Sequence, residues 1–376
     1  MVFGFWRSSP ETSRIYIKRS NEYHVLSMIN QEALRAYLQS TFPDVSSVEI
    51  RKLGSGVQGS GFLINLCTSS GCKTYVVKTL FPEGLGHDYP ADRAGVFLLD
   101  LDEYKNLPDH VAAIDVLAEL EGGAIKSVGG GKEYYLLMER AEGTDYFRDL
   151  EEFMGMAHLN PAGISRIKSM ASYLSRIHAV KKDSRSLYLR KIRDTIGHGE
   201  CLMGVFDTYP DGTLTGAEMA EIEKMCIDWR ERLRGREYRL SQIHGDFHPG
   251  NIWFKDQDEF VLLDRSRGPW GEPADDVTAL AINYIFFSLR YHGDVRGAYL
   301  EGLQLFFDEY LRATDDKEIL EVTAPFFAFR GAVVANPLFY PDVTVEVRRK
   351  IFNFVRRVLS EGRFEVEKVN DYIRQV

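Results

Sequence analysis

Hydrophobic residues change their spacing near residue 140, and that change divides the chain into two kinds of structure. Between Val48 and Leu80 apolar side chains alternate with polar ones in VEIRKL, FLINLC and KTYVVKTL, separated by glycines and the turn Ser69-Ser70-Gly71. A period of two is that of a strand with one covered face, so these runs predict antiparallel strands joined by tight turns. After Glu142-Gly143 the period becomes about 3.6 residues, in GISRIKSMASYLSRIHAV, GAEMAEIEKMCIDWRERLRG, LEGLQLFFDEYLRAT and EVRRKIFNFVRRVLSEGR, the stripe of helices docked on a core. The chain therefore reads as α+β in two lobes: a β-rich lobe over residues 48–141 and a mainly helical lobe over 142–376. An extension, 1–47, precedes them, with a helix expected across 22–40.

Within the first lobe DRAGVFLLDLDEYKNL predicts a helix ending before Pro108, and HVAAIDVLAEL and KEYYLLMER predict further strands. The longest apolar run, Val277 to Leu289, is shorter than the roughly 20 residues that cross a bilayer, and it predicts a buried core helix. Composition fits this: of 376 residues 44% are hydrophobic and 27% charged, enough apolar mass for a sizeable core. Lys and Arg number 46 against 55 Asp and Glu, a net charge of −9, which supplies no broad positive field for nucleic acid or anionic lipid. Neither nucleic acid nor a membrane is expected as a partner. The start, MVFGFWRSSPETSR, lacks the basic-then-apolar pattern of a secretory leader. Cys67, Cys72, Cys201 and Cys226 form no C-x-x-C pair, so they are expected as reduced thiols of a cytoplasmic protein, monomer or homodimer.

Gly54, Gly56 and Gly59 satisfy G-x-G-x-x-G, with Ser55 between the first two. Glycines let a backbone approach phosphate oxygens closely. A dinucleotide site needs a helix after this loop; here another strand follows, which favours a glycine-rich hairpin of the kinase type. Lys78 lies in the otherwise apolar strand YVVKTL, where an ammonium must reach solvent or meet an anion, and the α- and β-phosphates of a nucleotide suit it. The acid that orients it is expected from the next helix, which carries Asp100, Asp102 and Glu103, with Glu103 the expected partner.

Ile243-His244-Gly245-Asp246-Phe247-His248-Pro249-Gly250-Asn251 is followed by an apolar run ending at Asp264. Asp246 and Asn251 have the offset of the kinase catalytic loop H-R-D-x-x-x-x-N, and Asp264 stands where a metal-binding Asp leaves its strand. Phosphoryl transfer needs a carboxylate that orients or deprotonates the attacking hydroxyl, and hard oxygen ligands that hold Mg²⁺ against the phosphates. A transition-metal site built on His244-x-Asp246-x-His248 is the rival reading.

HGDFHPGNIWF and VLLDRSRGPWGEPADDV resemble the aminoglycoside phosphotransferase and choline kinase superfamily, whose members carry an H-G-D-x-H-x-x-N loop and a downstream G-x-P-x-x-D segment. The resemblance implies a bilobal protein-kinase-like fold, small antiparallel β lobe first and larger helical lobe second. It implies Asp246 as catalytic base, Asn251 and Asp264 as magnesium ligands, and Gly271, Pro273 and Asp276 as the trailing segment, Asp276 holding the loop. The implied reaction moves the γ-phosphate of ATP or GTP, bound with Mg²⁺, to a hydroxyl of an aminoglycoside-like or other small polar acceptor. Backbone groups from Glu139 to Ala141 are expected to grip the base. A regulatory nucleotide binder without turnover and a metal-dependent hydrolase are the alternatives. Arg265 and Arg267, directly after Asp264, supply positive charge with three open roles, favouring an anionic substrate, contacting phosphates or pairing with Asp275 and Glu272, of which pairing is the expectation; His178 is expected as a structural helix histidine satisfied by the backbone.

Overall fold

Alternation decides the first sheet. The computed structural model describes residues 29–374 apart from 56–58, 83–85, 107–110, 132, 134–135, 137 and 266. α1 (Gln31–Thr41) leads, its first turn capped by the Asn30 side chain, which accepts from the Ala33 amide at 3.1 Å. β1 (Val45–Ser55), β2 (Gly59–Thr68) and β3 (Gly71–Leu80) form an antiparallel sheet in that order. β2 buries Phe62, Ile64 and Leu66, every second residue, and Leu34 and Leu38 of α1 pack on Ile64 and Leu66. α2 (Pro90–Glu103) follows, then the short pair β4 (Leu117–Glu119) and β5 (Ile125–Ser127).

Several expectations change here. The leading helix begins at Gln31, and residues 22–28 lie outside the described part. The run HVAAIDVLAEL contributes only β4, because Val111 and Ile114 are exposed and no burial holds them in a ladder. Four positions of KEYYLLMER lie outside the described residues; Leu136 and Met138, which are described, are exposed and not in a strand. Cys67 and Cys72, expected as reduced thiols, are joined in a disulfide. The register explains it: they face each other across the β2–β3 hairpin, with Cα atoms 4.0 Å apart. Cys201 and Cys226 are free and buried.

The chain divides into two compact units, Met1–Leu137 and Met138–Val376. The second opens with β6 (Thr144–Asp145), α3 (Phe147–Glu152), α4 (Pro161–His178), α5 (Arg185–Gly197), α6 (Leu202–Asp207) and α7 (Gly216–Leu233). Short strands then carry the loops of interest: β7 (Ser241–Gln242), β8 (Ile252–Phe254), β9 (Phe260–Leu262) and β10 (Trp270–Gly271). β6, β8 and β9 pair antiparallel in that order, and β7 pairs with β10. The helices α8 (Ala274–His292), α9 (Gly297–Thr314), α10 (Ala324–Ala335), α11 (Val345–Ser360) and α12 (Val369–Tyr372) complete it.

α8 is buried at every residue from Ala274 to Leu289, as a helix hydrophobic on all sides must be, and it packs on α9 and α10. The C-terminal aromatic residues fill this core: Tyr284, Phe286, Phe306, Phe307, Phe326 and Phe327 are inside. Among the described residues no helix is long and apolar enough to cross a membrane.

Candidate active site

The loop between β7 and β8 turns at Gly245, whose φ of 86° lies in the left-handed region open to glycine. That turn is fixed from α8. Asp276, fully buried in the helix's first turn, accepts from the amides of His244 and Gly245, each at 2.7 Å. His178 braces the same carboxylate, with Nε2 3.2 Å from Asp276 Oδ2 and Nδ1 2.8 Å from the Tyr310 hydroxyl. Its partners are side chains, where backbone was expected, because the end of α4 runs beside α8 and α9.

Asp246 projects from this turn and is buried. Its Oδ1 receives Arg330 Nη1 at 2.5 Å, and Arg267 Nη1 stands 2.6 Å away as an ion pair without hydrogen-bond geometry. Burial alone would raise the Asp246 carboxyl, but Arg330, Arg267 and His248 outweigh it and hold the group well below the usual carboxylate range. His248 lies 3.9 Å from Asp246 Oδ2. Burial lowers its pKa, and Arg330 and Arg267 lower it further against the pull of Asp246.

A second acid lies behind the first. Asp275 is fully buried between Arg330, whose Nη2 is 2.7 Å away, and Lys191. Burial opposes its charge, and Lys191 and Arg330 overcome that and lower its pKa. Arg330 Nη2 also donates to the Gly245 carbonyl at 3.0 Å, so one side chain of α10 spans the loop and both acids. Neither Arg265 nor Arg267 pairs as expected. Arg265 donates to the carbonyls of Ile243 and Pro269, Arg267 turns to Asp246, and Glu272 is taken by Arg239.

The sequence reading did not identify Arg330 or Lys191. The available signal was chemical: Arg330 is the lone charge in the apolar helix APFFAFRGAVVA, where a guanidinium must find an acid.

Asn251 is buried at the end of a short turn, where its Nδ2 donates to the Asp246 carbonyl at 3.0 Å. That bond leaves Oδ1 as the acceptor face. The β8–β9 register pairs Ile252 with Leu262, and the Leu263 amide donates to the Asn251 carbonyl at 3.0 Å, so Asp264 follows directly on the residue bonded to Asn251. Asp264 is exposed and left-handed, with φ 49°, a conformation that aspartate adopts more readily than most residues and that Asp44 and Asp315 share. One amide oxygen and one carboxylate are hard donors that suit Mg²⁺, which keeps waters and phosphate oxygens for its other positions. The His-x-Asp-x-His rival fares differently. His244 Nδ1 accepts from the Asp246 amide and His248 Nδ1 from the Gly250 amide, and among the described residues no three His, Cys, Asp or Glu side chains group as a metal site.

The remaining candidates belong to the first unit or to the start of the second. Gly54 and Ser55 end β1, Gly59 begins β2, and Gly56 lies outside the described residues. Any side chain at Gly59 would run into the Thr79 carbonyl, so this position requires glycine. Lys78 Nζ is 4.0 Å from Asp100 Oδ2. The acid beside Lys78 is therefore Asp100 and not Glu103. Glu103 closes α2 one turn later, where its Oε2 accepts from Asn106 Nδ2 at 3.2 Å. Glu139 is exposed and Ala141 half-buried in the segment before β6.

The model of the phosphotransferase enzyme family, APH, matches residues 49–314. Stress response kinase A of Escherichia coli K12 is 30% identical over 116 residues, 28% of this chain, and that match spans 33% of the relative's length. Among solved structures, amicoumacin kinase hAmiN in complex with AMP-PNP, Ca²⁺ and Ami aligns at 12% identity over 92% of this chain and 98% of that one, with a TM-score of 0.40. A thermostable mutant of aminoglycoside phosphotransferase APH(4)-Ia in its apo form aligns at 14% over 87% and 99%, with a TM-score of 0.37. A Plasmodium vivax ethanolamine kinase aligns at 13% over 90% and 84%, with a TM-score of 0.32.

Proposed function

We propose a function on the premise that the family match supplies: the chain belongs to the phosphotransferase enzyme family. It is a phosphotransferase with an alcohol group as acceptor. The finer reading is a small-molecule kinase that moves the γ-phosphoryl group of ATP or GTP to a hydroxyl. The observation that carries it is the bonded set of Asp246, Asn251 and the strand end at Asp264.

Asp246 orients the acceptor. Held anionic by Arg330 and Arg267, it is a weak base, so it positions the hydroxyl proton and takes it only as the new bond to phosphorus forms. The acceptor oxygen bonds to the γ-phosphorus, the bond from phosphorus to the bridging oxygen breaks, and the nucleoside diphosphate leaves with that electron pair. Asn251 Oδ1 and the Asp264 carboxylate would hold Mg²⁺, which supplies charge neutralisation at the phosphates. Lys78, beside Asp100, is the cation offered to the α- and β-phosphates, and Gly54, Ser55 and Gly59 are the positions offered to them as backbone N–H donors. Backbone groups from Glu139 to Ala141 receive the base.

One observation favours a second reading. Two guanidinium groups already occupy Asp246, which suits a protein that binds nucleotide without turning it over. Mg²⁺-dependent release of ADP or GDP, measured over a panel of hydroxyl acceptors, decides between them. The kinase gives acceptor-stimulated release that falls by about 10²–10⁴ in Asp246→Asn. Equal release by variant and wild type removes Asp246 from the mechanism. A nucleotide-induced rise in melting temperature without stimulated release points to the regulatory binder.

A further inference from the structure

The surroundings of Asp246 carry more positive charge than its own neutralisation requires. Lys191, Arg267 and Arg330 pair closely with only two carboxylates, Asp246 and Asp275, so these side chains hold one cation in excess. Glu200 approaches Arg267 at 3.8 Å, but it is largely exposed and screened by water. The nearby acids are already taken, Glu272 by Arg239 and Asp276 by His178 and two backbone amides.

The excess charge faces a cavity. A hollow of about 140 Å³ opens against Asp246, with Arg267, Arg330, His248, Asn283 and Tyr340 as its other polar lining. Ala279, Ile282, Val333 and Val334 form its apolar wall. Asp246 is the only carboxylate lining it among the described residues. Arg267 Nε and Nη1 and Arg330 Nε are buried and make no hydrogen bond. Buried unsatisfied donors are costly, and guanidinium is the group best shaped to receive a carboxylate. A polycationic acceptor would need several acids here and would meet two arginines instead. The volume suits a compound of a few carbons.

Resting on the kinase reading above, we propose that the acceptor is a small hydroxy acid, its carboxylate held by Arg267 and Arg330 and its hydroxyl presented to Asp246. The hydroxyl oxygen bonds to the γ-phosphorus as the bond to the bridging oxygen breaks. The hydroxyl proton passes to Asp246, and the products are a phosphorylated acid and a nucleoside diphosphate. The apolar wall carries the carbon chain between its two polar ends.

The experiment compares Mg²⁺-dependent diphosphate release by the full chain on glycerate, malate and serine with release on glycerol, ethanolamine, choline and hygromycin B. It is repeated in Arg267→Met and Arg267→Lys, with the nucleotide-induced melting shift showing that each variant is folded. The proposal expects stimulation by at least one acid. It also expects kcat/KM for that acid, relative to its neutral analogue, to fall at least tenfold in Arg267→Met and to recover in part in Arg267→Lys. Stimulation by a neutral or cationic acceptor with every acid silent overturns the proposal and leaves the kinase standing. Nucleotide binding with no turnover on any acid overturns it as well. Absence of both nucleotide binding and turnover instead removes the kinase reading itself.

Discussion

The two units handle their charged pairs in opposite ways. In the first, Lys78 and Asp100 stand 4.0 Å apart with side chains 53% and 28% exposed, a contact that water weakens. In the second, Arg330 joins Asp246 and Asp275 with exposures of 6%, 10% and 1%, and each partner would be strongly penalised alone. The first arrangement leaves an ammonium available to a ligand at little cost in stability. The second is built into the scaffold, and the orientation of Asp246 is settled before any ligand arrives.

The contrast is broken most decisively at Asp275. Asp275→Asn leaves Lys191 and Arg330 short of a buried counter-charge, and the unfolding free energy falls by about 3–5 kcal/mol in urea titration. A loss under about 1 kcal/mol would mean that the cluster relaxes onto water and is no scaffold. Lys78→Met sharpens the other side. Its stability changes by less than about 1 kcal/mol, while the KM for nucleotide rises about tenfold, near 1.4 kcal/mol. Destabilisation comparable to Asp275→Asn, or an unmoved KM, would erase the difference between the units.

The smallest effect is a pH dependence that does not appear. A carboxyl whose folded pKa is depressed stabilises above its unfolded value, about 3.9, and loses that contribution as pH falls from there toward the folded value. Asp246 is such a group, facing Arg267, Arg330 and His248. The stability gap between wild type and Asp246→Asn therefore does not shrink from pH 8 until the pH drops below about 4. A gap that stays constant from pH 5 to pH 2 in paired urea titrations would mean that Asp246 titrates at its unfolded value, and would refute the strong pairing.

Local placement was legible in the sequence and distant pairing was not. The Asp246, Asn251 and Asp264 spacing is visible because a tight turn and two short strands can bring such groups together only at fixed offsets. The β1–β3 sheet and α8 announce themselves by period and by unbroken apolarity. Arg330 lies 84 residues from Asp246, and only the packing of α10 on α8 brings them together. The choice between Asp100 and Glu103 turned on helix phase relative to β3, which three candidate acids within four residues could not reveal. The Cys67–Cys72 bond depended on hairpin register; the spacing suggested only two separate thiols.

Arg330 holds the loop through the Gly245 carbonyl, anchors Asp275 and touches Asp246 with one guanidinium. A residue with three obligations cannot be exchanged to suit a new acceptor without undoing the fold. Substitutions that the fold tolerates are therefore expected at the neighbours that carry no such burden. Ala279, Ile282, Val333 and Val334 can trade size for size and reshape the cavity while Arg330 keeps its three contacts.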